Sequence, residues 1–205
     1  MDQKVDKIIE GAKRVFMRYG IKSVNMDDMA RHLGISKKTL YLHIKDKEDL
    51  VKRTMIDFCA NEDREIKGIC NLGLNAVDES LEIMKWVSGM LQHMHPSVAF
   101  DMEKYHPEVY HDLWTNRQNF IMECIFENLR KGQKEGLYRK DFNADMIAKL
   151  YVARVQAMFD QTLFPHDEYN LSDLYTEIFK YHIRGIASSK GVEMLESKQK
   201  TKKKS

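Results

Sequence analysis

"NMDDMARHLGISKKTLYLHI", residues 25–44, decides the fold of the N-terminal part of the chain. Asn25 is a favourable helix N-cap, and Asp28, three residues later, completes a capping-box pattern. Gly34 then ends a short helix, and Ser36 is a good N-cap for the next one. Two short helices joined by a turn that contains a glycine indicate a helix-turn-helix.

The second helix of this motif predicts a surface that binds DNA, because such a helix enters the major groove with its exposed face. Leu40 and Ile44, four residues apart, should face the core beside Ile35. Lysine and tyrosine suit phosphates, while threonine, lysine and leucine can touch base edges or thymine methyl groups. The alternative, a solvated helix with ordinary surface lysines, is disfavoured by the tyrosine, the caps and the turn. The side chains that should point outward are Lys37, Lys38, Thr39, Tyr41, Leu42 and His43.

Charge is distributed unevenly along the chain. Residues 1–54 contain 13 Lys and Arg against 8 Asp and Glu, whereas residues 55–189 contain 14 against 21. A basic N-terminal segment joined to an acidic body indicates that one end meets a polyanion. Residues 190–205 are basic again, and their final part, SKQKTKKKS, has no apolar residue, so we predict that residues 190–205 form a disordered tail.

The hydrophobic spacing indicates the fold class. Apolar residues recur with the 3.6-residue period of helices, and alternating strand patterns are missing, so we predict an all-α protein of about nine helices. Residues 1–52 should form a three-helix DNA-binding domain and residues 53–189 a helical bundle, to which the family resemblance given below assigns regulation and dimerisation. In that bundle Asp78 is the predicted N-cap of the fifth helix, and the eighth and ninth helices are predicted over residues 143–162 and 171–187.

Composition disfavours a membrane or secreted protein. No apolar run approaches the ~18 residues of a membrane helix, and the charged N-terminus does not resemble a signal peptide, so we expect a cytoplasmic protein. Cys59, Cys70 and Cys124 lack CxxC spacing, which predicts reduced, buried thiols rather than disulfide staples or a zinc cluster.

The sequence also disfavours a metal site and an enzyme. His93 and His95 are two residues apart and His106 and His111 are five apart, and neither spacing is the i, i+4 arrangement that chelates a metal on one helix face. There is no G-x-S-x-G motif and no glycine loop for phosphate. We therefore predict no metal, no cofactor and no enzymatic activity, with an enzyme built on a helical bundle as the least favoured hypothesis.

The segment "IIEGAKRVFMRYGIKSVNMDDMARHLGISKKTLYLHIKDKEDLV", residues 8–51, resembles the DNA-binding domain of the tetracycline-repressor (TetR) family of bacterial transcription regulators. The shared features are an Ala-x-x-x-Phe first helix that ends in Gly, a second helix that ends Ala-x-x-x-Gly, the run Ser-x-x-Thr-Leu-Tyr, and a Lys-Glu-x-Leu helix start. The resemblance covers about residues 5–52. Ile44 departs from it, because the family usually has an aromatic residue at that core position.

The resemblance implies roles for individual residues. Tyr41 and Lys47 would hold phosphates, since Lys47 begins a helix whose N-terminus favours an anion. Asn25 and Met26 would approach the DNA backbone at the start of the second helix. The implied contacts of the recognition helix are Lys37, Lys38, Thr39, Tyr41 and His43.

An apolar stripe in the last two predicted helices bears on assembly. Such a stripe is first of all a core stripe, but one helix-turn-helix makes few contacts, and dimers that double the half-site are the usual solution. The resemblance also implies a homodimer built as a four-helix bundle. The predicted interface residues are Ala153, Ala157, Leu171, Leu174, Ile178 and Tyr181.

The middle of the chain is rich in methionine and aromatic residues, which usually form a core but also suit a cavity for an apolar ligand. The resemblance implies an effector site there, so we expect a repressor that a small apolar or amphipathic effector releases from operator DNA. The alternative is a DNA-binding factor of the same type without an effector, acting through protein partners or DNA organisation. The candidate ligand residues are Trp86, Met90, His93, Met94, Trp114, Gln118 and Arg154.

Overall fold

The computed structural model describes residues 3–202, with side chains through residue 198, and it confirms the all-α prediction. Over this range the strand-like structure is limited to an isolated bridge between Tyr138 and Ala187, and no helix is long and apolar enough to span a membrane. Ten helices are described where about nine were predicted. In chain order they are α1 (Gln3–Tyr19), α2 (Met26–Leu33), α3 (Lys37–Tyr41), α4 (Lys47–Cys70), α5 (Ala76–Gln92), α6 (Ser97–Tyr105), α7 (Pro107–Glu135), α8 (Ala144–Ala157), α9 (Leu171–Ile186) and α10 (Ser189–Lys202).

The chain divides into two compact units. The first unit holds Met1–Arg64 and His93–Arg117, and the second holds Glu65–Gln92 and Gln118–Ser205. α6 and the start of α7 therefore group with the N-terminal helices. The predicted boundary between the DNA-binding domain and the helical bundle, after residue 52, stays a prediction.

The first unit is built on the apolar face of α1, which ends at Gly20 with a left-handed φ of 81°. A buried carboxylate in α6 fixes the turn that follows. Asp101 accepts hydrogen bonds of 2.9 Å from the backbone N–H groups of both Ile21 and Lys22. These bonds satisfy a charge that would be costly to bury alone. The core of the unit includes Ile8, Ala12, Phe16, Met29, Leu40, Ile44, Leu50 and Val51.

The second unit packs its helices around Tyr138, whose hydroxyl donates to the backbone carbonyl of Ala76 at 3.0 Å. Asn128 donates a second 3.0 Å hydrogen bond to the same carbonyl. Both side chains are buried, and burial raises the pKa of Tyr138, so the phenol stays protonated. The core around this polar group includes Ala76, Val77, Leu129, Ala148, Phe179, Ile183 and Leu195.

Two predicted helix ends differ from the structure. The cap of α5 is Asn75, whose side-chain oxygen accepts the Asp78 N–H at 3.0 Å, so the prediction that Asp78 is the cap was wrong. α8 ends at Ala157 rather than residue 162, because Asp160 accepts the N–H of Thr162 at 2.8 Å and closes a turn there.

The prediction of a disordered tail from residue 190 is wrong for the part that the structure describes. α10 covers Ser189–Lys202, and the Leu195 side chain is buried in the core of the second unit. The Lys198 ammonium pairs with the Asp78 carboxylate. The prediction was based on the polar end of this segment, whereas Val192 and Leu195 earlier in it form an apolar face that packs on the second unit. Residues 203–205 lie outside the described residues.

Candidate nucleic-acid interface

The turn between α2 and α3 has the geometry that the sequence predicts. The Asn25 side chain accepts two 2.9 Å hydrogen bonds from the first turn of α2, and the Asp28 carboxylate accepts the Asn25 N–H at 3.2 Å. Gly34 adopts φ 66° and ψ 28°, a conformation that a residue with a Cβ adopts only at a cost. Ser36 Oγ accepts the Thr39 N–H at 3.0 Å. The capping box, the glycine turn and the second cap are thus confirmed.

Residues 40–44 have one inward and one outward face. The side chains of Leu40 and Ile44 are 0% and 1% exposed, which confirms that they anchor this segment in the core. Tyr41 is 43% exposed and Leu42 is 72% exposed. α3 ends at Tyr41, and the expected pattern of buried and exposed side chains continues beyond it to Ile44.

The first turn of α3 presents cationic and hydroxyl groups at the surface. Lys37 and Lys38 are both exposed. The Lys37 ammonium lies 2.8 Å from the Asp27 carboxylate, and this hydrogen-bonded pair raises the pKa of Lys37. The hydroxyl groups of Thr39 and Ser36 lie 2.8 Å apart. Such groups can bind phosphate oxygens or the acceptors of base edges.

The two predicted contacts at the start of α2 differ in how far their side chains are exposed. The Asn25 side chain is exposed, but its oxygen is occupied by the N-cap hydrogen bonds. The Met26 side chain is 9% exposed and belongs to the core of the first unit. Met26 can therefore meet a DNA phosphate only through its backbone N–H, which lies at a helix N-terminus and suits an anion.

The basic side chain at the start of α4 is half-buried. Lys47 Nζ donates a 3.4 Å hydrogen bond to the backbone carbonyl of Lys22, and burial lowers the pKa of Lys47. His43 is also half-buried. Lys47 thus lies beside the turn that follows α1, and a DNA phosphate could replace the carbonyl as its partner.

Two basic residues extend this surface beyond the predicted set of sites. Lys22 and Lys45 are exposed, and the Lys22 backbone is the partner of Lys47. No sequence pattern indicates Lys22, since it is close to Lys47 only in the folded chain. Leu42, which the sequence predicts to point outward, is exposed as expected.

The predicted dimer residues divide into a buried and an exposed set. Leu171 is 3% exposed and packs inside its own unit, so its side chain is not available to a partner. Leu174, Ile178 and Ala157 are half-buried, and Ala153 and Tyr181 are exposed. Large apolar side chains of α8 and the following loop are exposed as well, namely Met146, Leu150 and Leu163.

The candidate ligand residues fall in both units. His93, Met94 and Trp114 belong to the first unit, where Trp114 stacks on Tyr110 with ring centroids 6.1 Å apart. The other four belong to the second unit and are half-buried, namely Trp86, Met90, Gln118 and Arg154.

Polar partners already occupy two of these four residues. Gln118 donates to Gln156 at 3.1 Å, and the Arg154 guanidinium lies 4.8 Å from the ring centroid of exposed Tyr181. Among the described residues, no group of three His, Cys, Asp or Glu side chains is arranged to hold a metal.

A helix-turn-helix that buries Leu40 and Ile44 and exposes lysine, hydroxyl and leucine side chains defines a DNA-binding protein of the helix-turn-helix class. Residues 8–54 match the family model described as "Bacterial regulatory proteins, tetR family". Residues 8–54 therefore form a DNA-binding domain of this family, and the chain is a DNA-binding transcription regulator.

Relatives of known sequence or structure extend the likeness to most of the chain. The HTH-type transcriptional regulator YvaF of Bacillus subtilis is 22% identical over 81% of this chain and 87% of its own. The HTH-type transcriptional repressor KstR2 of Mycolicibacterium smegmatis is 21% identical over 69% and 71%. A transcriptional regulator of Saccharomonospora viridis, crystallised in complex with choline, is 19% identical with a TM-score of 0.67 over 92% of this chain and 100% of that one. The last comparison shows a shared fold.

Proposed function

We propose that the protein is a homodimeric repressor that a small apolar or amphipathic effector releases from operator DNA. The observation that carries the proposal is the continuity of α4, which begins at Lys47 in the DNA-binding segment and ends at Cys70 in the second unit. The similar protein KstR2 is described as a repressor, and the similar S. viridis regulator holds choline, which supports repression and an effector here. As a regulator of chromosomal genes it would act in the cytoplasm.

The DNA contacts in this proposal are the exposed groups of α3 and the start of α4. Lys38 and Thr39 would read base edges, and Leu42 would touch a thymine methyl group. Tyr41 and Lys47 would bind phosphates and fix the register of the helix. His43 and Lys37 lie beside them, and Lys37 would exchange Asp27 for a phosphate.

The dimer in this proposal uses the exposed apolar face of α8 and α9. Tyr181 is 70% exposed, and Met146 and Leu150 are 63% and 50% exposed. Several large apolar side chains left exposed on two neighbouring helices are typical of an interaction site. A twofold dimer would place two recognition helices ~34–36 Å apart, one turn of DNA.

The effector in this proposal contacts the half-buried face of α5. Trp86 and Met90 are one helical turn apart on α5, and both are polarizable apolar side chains that adapt to a ligand. Ser88, between them, bonds to the Ser172 hydroxyl at 2.7 Å and lies 3.3 Å from the Thr176 hydroxyl, which ties α5 to α9. A ligand that shifts α5 or α4 changes the spacing of the recognition helices and weakens operator binding.

The test begins with a selection of genomic DNA fragments that bind the purified protein, followed by footprinting. We expect a protected site with two related half-sites. Choline and a panel of small amphipathic amines and carboxylic acids are then tested for release of the selected fragment by fluorescence anisotropy.

Trp86→Ala should bind the fragment normally but respond to the active compound at least tenfold more weakly, whereas the exposed neighbour Lys85→Ala should respond like wild type. If the protein protects no DNA site, the proposal of DNA binding is overturned. The effector-free alternative is favoured if the protein protects a site, no compound in the panel releases it, and no compound raises the melting temperature of the protein.

A further inference from the structure

Two cysteines of the second unit lie close together. Cys70 is the last residue of α4, Cys124 lies in α7, and the Cys124 thiol donates a hydrogen bond to the Cys70 sulfur. One turn earlier on each helix, Lys67 Nζ lies 5.3 Å from the ring centroid of Phe120, so the two helices are neighbours along this stretch. Both cysteines are half-buried, which leaves a path for a small oxidant.

The surroundings of Cys70 favour its thiolate. The hydrogen bond from Cys124 and the positive charge of Lys131 lower the pKa of Cys70, although burial and the Glu79 carboxylate oppose them. Cys59 in the first unit is a contrast, because burial raises the pKa of its thiol to about 12. The thiolate is the reactive form of cysteine, so an oxidant should attack Cys70 before Cys59.

We propose that Cys70 and Cys124 form a site that a hydroperoxide oxidises to an intramolecular disulfide. The Cys70 thiolate attacks the O–O bond of hydrogen peroxide, which yields a sulfenic acid and, after protonation, one water. The Cys124 sulfur then attacks the Cys70 sulfur and displaces the hydroxyl group as a second water. In total two thiols lose two electrons and two protons, and one peroxide is reduced to two waters.

The disulfide would make the affinity for DNA depend on the oxidation state of the two cysteines. This part of the proposal rests on the proposed function. A disulfide holds its sulfur atoms about 2.05 Å apart, closer than two hydrogen-bonded thiols, so its formation draws the end of α4 toward α7. α4 is continuous back to Lys47, at the predicted phosphate contact. We therefore expect oxidation to change affinity for operator DNA.

The experiment counts free thiols in the full-length protein before and after treatment with hydrogen peroxide, by alkylation under denaturing conditions and intact mass spectrometry. Reduced protein should take up three alkyl groups, one for each cysteine. Oxidised monomer should take up one, and peptide mapping should find Cys70 joined to Cys124. Cys59→Ser is the matched control and should still form the disulfide, whereas Cys70→Ser and Cys124→Ser should not.

The proposed disulfide site is overturned by any of three results: the treated protein keeps three thiols, it gains oxygen atoms without a cross-link, or its disulfide joins two chains. The affinity for a genomic fragment selected with reduced protein should change roughly fivefold or more on oxidation. Dithiothreitol should reverse the change, and Cys70→Ser should not show it. An unchanged affinity in disulfide-bonded protein would overturn the dependence of DNA affinity on oxidation state. If reduced protein selects no fragment, the proposed function has failed, and the thiol count still decides the site.

Discussion

The Lys37 ammonium and the Asp27 carboxylate lie 2.8 Å apart and join the first turn of α3 to the first turn of α2. Their side chains are 57% and 59% exposed, so water screens the pair and it adds little to stability. On DNA, a phosphate would compete with Asp27 for the same ammonium. Asp27 would therefore compete with the DNA backbone for the Lys37 ammonium.

Replacing Asp27 by Asn should strengthen DNA binding. The variant frees Lys37 for a phosphate and removes a negative charge that repels the backbone. We expect tighter binding to any sequence and a salt dependence steeper by about one unit of log K against log salt. Anisotropy titrations at several salt concentrations measure both. Asp112→Asn, at an exposed position of α7, is the control, and equal slopes for the two variants would contradict the competition.

Lys47→Ala and Lys38→Ala should separate phosphate contact from base contact. Loss of Lys47 should weaken binding to all sequences alike and flatten the salt dependence by about one unit. Loss of Lys38 should instead relax the preference for the selected site by about 1–3 kcal/mol. Competition of specific against random DNA distinguishes the two effects. Normal preference and normal salt dependence in both variants would place the interface elsewhere.

The double variant Leu174→Glu with Ile178→Glu should dissociate the proposed dimer. Both side chains are half-buried on α9, and carboxylates there would have to lose water without a partner in a bundle. We expect a loss of roughly 3 kcal/mol or more of association free energy, measured by sedimentation velocity with circular dichroism to confirm folding. Lys180→Glu on an exposed position of α9 should stay dimeric. If the double variant is folded and still dimeric, the interface lies elsewhere on the protein.

His182 should make stability fall in acid. It is buried beside Tyr151, with ring centroids 4.6 Å apart, and burial together with Arg154 lowers its pKa to about 4. The unfolded chain binds a proton near pH 6.5 while the folded chain does not, so the free energy of unfolding decreases as the pH drops from 6.5 toward 4.

The loss attributable to His182 should reach about 3 kcal/mol at the acid end. His182→Gln removes the titrating group and should show a smaller decrease over the same range in urea unfolding curves. His111→Gln, at an exposed position, serves as the control. Parallel pH profiles for wild type and His182→Gln would show that the imidazole is not held neutral.

The parts of the fold that the sequence predicts are those made by neighbours in the chain. The caps at Asn25 and Ser36 and the turn at Gly34 use hydrogen bonds that span a few residues, so the residue types announce them. The alternation of Leu40 and Ile44 with exposed side chains is likewise local.

The parts that the sequence does not predict depend on contacts between distant residues. The Asp101 carboxylate meets the N–H of Ile21 across 80 positions, and nothing in either local stretch indicates the other. The same holds for Lys22 beside Lys47. The side chain of Met26 lies at a helix start, where a residue can be either exposed or buried, and tertiary packing buries it.

The packing of α10 has a practical consequence for anyone who shortens the protein. Because its end is highly charged, the chain could be truncated at residue 189 for crystallisation in the belief that the end is dispensable. Truncation would in fact remove Leu195 from the core of the second unit and break the pair between Lys198 and Asp78 at the start of α5. Burial of one leucine contributes roughly 1.5–3 kcal/mol, so the trimmed protein should melt several degrees lower and aggregate more readily.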